Sequence, residues 1–289
     1  TVCLLFVIAL AVPVAAQNHV WSRGHGDFRP DSAQDVAVGP DGSVVVVGHF
    51  ERTVDFGGGA VSANGTVFED AFVVKYGAGG QHVWTRTFGL ADADRAEAVA
   101  IDDSGNVLVG GWFWGDTDLG EGTVTGNGRE DLFLVCYDAD GGWRRTRSYG
   151  GIDFDRVWAI ASDVQGNWTV GGSFSGTEDF GTGPISSNGG EDGLVLKLDP
   201  DGDTIWAYTF GHVQGAERVF GVDVDAAGNV YAAGSFGGTT DFGGGLVFNQ
   251  GGADVFVLSL TGVGTFRWAR GFGASSTDVA EALAVDSQG

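Results

Sequence analysis

DVQGNWTVGGSFSGTEDFGTGPISSNGGEDGLVLKLDPDGDTIWAYTFG, residues 163–211, decides the fold. It holds three strand-like runs, at 167–174, 193–199 and 204–210, and a fourth, VWAIAS at 157–162, stands just before it. Alternating apolar and polar residues, rich in β-branched and aromatic types, mark short strands packed on one or both faces. The first two runs are parted by a D-x-x-G turn, where Asp accepts backbone N–H groups and Gly takes positive φ. Asp199-Pro200-Asp201-Gly202 parts the last two. Neither turn leaves room for a helix, so neighbouring strands must run antiparallel.

The pattern recurs along the chain. Gly42, Gly105, Gly166, Gly228 and Gly289 end equivalent turns at intervals of 63, 61, 62 and 61 residues. Three further landmarks keep step. Asp55, Asp118, Asp179 and Asp241 open D-F-G or D-L-G triplets, and Asp70, Asp131, Asp192 and Asp254 open apolar runs. Aromatic-Gly pairs close each copy at Phe88-Gly89, Tyr149-Gly150, Phe210-Gly211 and Phe272-Gly273. Fixed order over four copies is a structural repeat. Four antiparallel strands per repeat predict an all-β fold, a β-propeller of four-stranded blades.

A propeller blade ordinarily takes roughly 40–50 residues, and here the surplus lies between strands two and three. It carries Asn64-Gly65, Asn127-Gly128, Asn188-Gly189 and, in the fourth copy, Gln250-Gly251. Asn-Gly favours a two-residue hairpin turn, so a small extra hairpin is expected to turn there. Strand alternation places these inserts and the blade-to-blade loops on one face of the ring, and the Asp-Gly turns on the other. The expected blades are 35–96, 97–156, 157–218 and 219–280, with 281–289 beginning a fifth. Residues 17–34 supply a closing strand and linker. Within them Val20-Trp21-Ser22-Arg23 repeats the fourth-strand motif Val83-Trp84-Thr85-Arg86 without its own blade. The chain thus reads as a fragment cut inside its fifth blade, an open arc.

The motifs D-x-x-G-N-V-x-V-x-G-x-F, T-x-D-F-G, D-x-F-V-x-K-x-D and W-x-x-x-F-G, in that order over residues 17–289, resemble the seven-bladed β-propeller repeat (SBBP) family of secreted bacterial proteins. That resemblance implies an extracellular or surface protein, often joined to other modules, and carries over no catalytic residue set. Copy two departs from the pattern: Leu119 replaces the D-F-G Phe, and Arg145 stands where other copies place Trp.

Composition agrees with an exported β protein. Of 289 residues 52 are Gly, and 43% are hydrophobic, enough for a sizeable core. The formal net charge of −23 repels phosphate backbones and anionic lipid, which argues against nucleic acid and leaves an unknown protein or a glycan as partner. Residues 1–16, TVCLLFVIALAVPVAA, read as a signal peptide cut before Gln17, too short to span a bilayer comfortably. Secretion with no membrane insertion after signal removal is therefore expected. Cys3 leaves with the signal, so Cys136 is a lone thiol, at a position where copies one and three carry Lys75 and Lys197, and is expected on the surface.

No catalytic constellation emerges. The five histidines occupy unrelated repeat positions, with no HExxH, and the serines lack a G-x-S-x-G elbow. The recurring aspartates are expected to hold turns, since a group needed once for chemistry would not recur in every copy. Asp199, Asp201 and Asp203 are the sharper candidates, a calcium-like spacing lacking the later ligands of an EF-hand, and no other cofactor is implied. Trp84, Trp206 and Trp268 are expected to pack between blades, while Trp112, Trp114 and Trp143, all in copy two, are the expected exposed aromatics. The leading reading is a non-catalytic binding or scaffold module. A lectin using insert-face aromatics is the alternative, and an enzyme at the central funnel comes third.

Overall fold

The computed structural model describes residues 19–26, 29–64 and 68–286, so the expected signal segment lies outside the described residues. These residues contain no helix, and none long and apolar enough to cross a membrane. They form four four-stranded antiparallel sheets in chain order. The first comprises β1 (Ser32–Val38), β2 (Val44–Phe50), β5 (Asp70–Tyr76) and β6 (His82–Phe88), with a side hairpin of β3 (Thr53–Asp55) and β4 (Ala60–Ser62). The second comprises β7 (Asp94–Ile101), β8 (Val107–Asp118), β9 (Thr123–Tyr137) and β10 (Trp143–Tyr149). The third comprises β11 (Arg156–Ser162), β12 (Trp168–Phe174), β15 (Asp192–Leu198) and β16 (Thr204–Phe210), with β13 (Thr177–Asp179) and β14 (Pro184–Ser186) beside it. The fourth comprises β17 (Arg218–Val224), β18 (Val230–Phe236), β21 (Asp254–Leu260) and β22 (Phe266–Phe272), with β19 (Thr240–Asp241) and β20 (Leu246–Val247).

Strands two and three of each sheet are the apolar ones, and β5, β12 and β15 are buried along their whole length. A strand buried on both faces needs a neighbour on each side, which is why the sheets stack face to face. Separate apolar cores fill the gaps between sheets one and two, two and three, and three and four. Phe50, Phe113, Phe174 and Phe236 from the second strands are buried, as are Phe72, Phe133, Leu194 and Phe256 from the third. At ~25 cal/mol per Å² of apolar surface removed from water, these recurring rings dominate the packing.

The first strands β1, β7, β11 and β17 stand side by side along one edge of the stack. Each carries a bulge at the same repeat position, occupied by Gln34, Glu97, Trp158 or Phe220. The partner glycines Gly48, Gly111, Gly172 and Gly234 have no room for a Cβ, because carbonyl oxygens of the bulged strand press against them. That crowding explains why every copy places Gly there.

Consecutive sheets are also clasped through their fourth strands. Trp84 Nε1 reaches Ala139 O at 3.4 Å and Arg86 Nε donates to Gly141 O at 3.0 Å, both in the β9–β10 turn. Trp206 Nε1 donates to Gly262 O of the fourth sheet at 3.0 Å. Trp21 and Arg23 grip the β5–β6 turn of the first sheet the same way, at Ala78 O and Gly80 O, although residues 19–26 form no ladder. Where Arg145 replaces the Trp, it and Arg147 pair with Asp203 beside the equivalent turn. Of residues 281–289, the expected start of a fifth blade, 287–289 lie outside the described residues and 281–286 likewise join no sheet, but Val285 N donates to Asp223 Oδ2 at 2.7 Å.

Three expectations are corrected. The extra hairpins form, but they turn at the D-F-G-x-G segments rather than at Asn-Gly. Asp55 Oδ1 accepts from Gly57 N and Gly59 N, and Asp179 Oδ1 from Gly181 N and Gly183 N, closing the turn from inside. The Asn residues instead cap buried carboxylates: Asn127 N donates to Asp131 Oδ2 at 2.6 Å and Asn188 N to Asp192 Oδ2 at 2.9 Å. In the second sheet no separate hairpin exists, since β8 and β9 run on as one ribbon through Asp118↔Thr123. Cys136 is buried rather than at the surface, and burial pushes its thiol up to about 11. Lys75 and Lys197 are buried too, Lys197 against Asp163 at 2.8 Å.

Candidate functional site

The bulges aim single residues outward from an otherwise repeated edge, and along the first three sheets they line an open cleft of about 410 Å³. Gln34, Arg95, Glu97, Trp112, Arg156 and Trp158 face it. The scaffold around it repeats. Arg95 pairs with Glu69 at 2.7 Å, Arg156 with Glu130, and Arg218 with Glu191 at 2.6 Å, each bridging consecutive sheets. Their sequence signal was legible: E-D at 69–70, 130–131 and 191–192, followed by D-R or E-R at 94–95, 155–156 and 217–218. These bridges are structural cross-links, partly exposed and so worth little individually.

What does not repeat is the second sheet. At one position of strand two the copies carry His49, Trp112, Ser173 and Ser235, and two residues on they carry Glu51, Trp114, Ser175 and Gly237. Trp112 is buried, contrary to expectation: Arg95 stacks 5.2 Å from its ring and its Nε1 donates to Glu97 Oε1 at 3.1 Å. Trp114 is 46% exposed and Trp143 37% exposed, as expected. Trp114 meets the exposed Phe68 of the first sheet edge-on, ring centroids 6.3 Å apart. Burial raises the Glu97 carboxyl above its ordinary range, while the Arg95 charge opposes the shift. Trp158 packs against Phe220 with centroids at 5.5 Å, and its Nε1 has no hydrogen-bond partner among the described residues.

Asp199, Asp201 and Asp203 share one turn, but their oxygens do not converge. Asp199 Oδ1 accepts from Asp201 N and Asp203 N, both at 2.9 Å. Asp201 pairs with Arg144 at 3.2 Å, and Asp203 with Arg145 and Arg147. The arginines of β10 therefore take up the carboxylates offered as ligands. Among the described residues no three His, Cys, Asp or Glu side chains stand close enough to hold a metal.

No family model matches the chain. Over 179 residues it is 28% identical to regulatory protein FlaEY of Caulobacter vibrioides, matching 60% of this chain and 18% of that protein. The chain thus spans less than a fifth of the length of that relative. A crystal structure of a protein of unknown function from Bacteroides caccae is similar over 85% of both chains, at 12% identity and a TM-score of 0.37.

Proposed function

We propose that the chain is a run of β-propeller blades forming a secreted or cell-surface, non-catalytic binding module. Its ligand seat is the insert side of the second sheet. Four stacked four-stranded sheets with their first strands side by side support the propeller reading, and the ordered motifs support kinship with the SBBP repeats. The apolar run at 1–16 and the charge of −23 support export. One observation carries the binding role: the exposed Trp114–Phe68 pair stands on a position that the third and fourth copies fill with Ser175 and Gly237. In a repeat, positions that every copy shares serve the scaffold, and a large exposed aromatic confined to one copy serves contact.

The cleft supports binding over chemistry. Its lining has no Ser, Cys, His or Lys, Glu130 is neutralised by Arg156, and Glu97 is held by Trp112. Exposed aromatic faces also favour a neutral glycan as the ligand, because sugar rings stack on indole without needing cationic partners. Binding of the purified chain to a panel of soluble polysaccharides, followed by Trp fluorescence, tests both readings. W114A should abolish the signal and W143A should keep it. Equal binding by W114A would refute the seat, and binding only to a protein partner would refute the glycan reading.

A further inference from the structure

Residues 19–26 cross the outer face of the first sheet and grip its β5–β6 turn, as Trp84 and Arg86 grip the β9–β10 turn. Trp21 and Arg23 match Trp84 and Arg86, and the same count puts His25 at the position of Phe88, Tyr149, Phe210 and Phe272. Three of those rings pack on an aromatic of the next sheet's repeat. Phe88 meets Phe133 at 5.1 Å between centroids, Tyr149 meets Phe180 at 5.2 Å, and Phe210 meets Phe242 at 4.8 Å. His25 takes that role on Phe56, at 5.7 Å, and stacks on Tyr76 at 5.9 Å. It is the one ring of the series that gains a charge near neutral pH. A cavity of about 220 Å³ is walled by Trp21 and His25 on one side and by Val54, Phe56, Phe72 and Tyr76 on the other.

The hydrogen bonds around His25 call for two ring protons. Its Nδ1 stands 2.8 Å from Asp55 O, a carbonyl that can only accept. Its Nε2 stands 2.8 Å from the Tyr76 hydroxyl, which itself donates to Phe56 O at 3.0 Å. Burial pushes the Tyr76 phenol up, so it keeps its single hydrogen, and with that hydrogen given to Phe56 its oxygen accepts from Nε2–H. Only the doubly protonated imidazolium makes all three bonds at once. A neutral ring that keeps Nδ1–H must either draw the Tyr76 hydrogen off the buried Phe56 or lose its own second bond. The other charged and titratable groups here come from each neighbouring element. Asp55 turns its Oδ1 inward to Gly57 N and Gly59 N, and Asp31 faces Gly26. Arg23 stands over the Tyr76 ring at 5.9 Å, and His82 meets that ring edge-on at 6.3 Å.

We propose that His25 is a pH-operated latch: protonated, it pins residues 19–26 over the first sheet's outer face, and deprotonated, it loosens them and opens the apolar cavity beneath. Trp21 and Arg23 keep their own bonds to Ala78 O and Gly80 O, so the change is a shift in population rather than a detachment. Losing one net hydrogen bond lowers the closed-to-open ratio about three- to tenfold.

NMR of the 15N-labelled chain reads the ring and the segment together. Above about pH 8 the neutral His25 ring should be the Nδ1–H tautomer, as its bond to Asp55 O requires. The second readout is solvent exchange of the Trp21 indole N–H, which bonds Ala78 O in the closed state. H25F, which restores the ring type of the other copies, supplies the reference at each pH and removes the intrinsic pH dependence of exchange. From about pH 5.5 to pH 8 the parent should exchange about three- to tenfold faster relative to H25F. Y76F, which removes the need for the second proton, should flatten that rise. A constant ratio of parent to H25F, an unchanged rise in Y76F, or an Nε2–H tautomer in the native chain would each overturn the latch.

Discussion

The indole of Trp84 rests on Gly141 of the next sheet, so closely that a Cβ there would come within 2.7 Å of the ring. Gly141 sits at φ +79°, and the same ring-on-glycine contact recurs between Trp21 and Gly80 and between Trp206 and Gly264. One residue type therefore serves two needs, the left-handed turn and the seat for the neighbouring sheet's side chain.

Separating those needs gives the first prediction. Gly228 has a similar φ of +81° but open space where a Cβ would go. Gly228→Ala should cost about 1–2 kcal/mol for the left-handed backbone alone. Gly141→Ala should cost at least about 1 kcal/mol more, because Trp84 must move. Urea denaturation midpoints of the two variants settle it. Equal losses would mean that the clasp does not hold the sheets together.

The clasp should also matter only where it has something to grip. Trp84 is buried against the second sheet, whereas Trp268 on β22 is half-buried, with Tyr231 of its own sheet 6.2 Å away. Trp84→Ala should cost about 3–5 kcal/mol, the range for large buried aromatics. Trp268→Ala should cost under about 1 kcal/mol in this chain. Comparable thermal shifts for both would show that Trp268 has a packing partner in solution.

Two buried acids, Asp155 just before β11 and Glu217 just before β17, predict a pH dependence. Burial pushes both Asp155 and Glu217 up to about 7, against the backbone N–H groups that they accept. Unfolded carboxyls titrate near roughly 4, so between those values the folded chain holds protons that the unfolded chain has released. Their contribution is complete below about pH 4 and is lost as pH rises through about 7. Stability from urea curves should therefore decline across that window and flatten above it. Asp155→Asn should make the decline shallower; an unchanged slope would mean that Asp155 is ionised in the fold.

Much of this molecule was legible in the chain itself. Turn glycines, alternating runs and the spacing of the repeated Asp and Gly landmarks are local chemistry. Gly42, Gly105 and Gly166 all adopt positive φ, and Asp55 and Asp179 close their turns through their own side chains. Local signals repeated four times reinforce one another, so strand order, sheet number and the buried phenylalanines followed from the sequence alone. What it did not determine is where each long-range contact lands. Trp112 and Trp114 look alike in sequence, yet one is buried under Arg95 and the other is exposed, because Glu69 of the preceding sheet fixes Arg95 over the first ring. Asp94 and Asp155 also look alike, yet Asp155 accepts from Ser175 N, whereas the equivalent Trp114 N donates to Ala93 O where β8 runs on into the ribbon with β9. Turn chemistry acts over a few residues and is written in them. Burial and hydrogen-bond satisfaction depend on which sheet arrives next, and only the packed stack decides that.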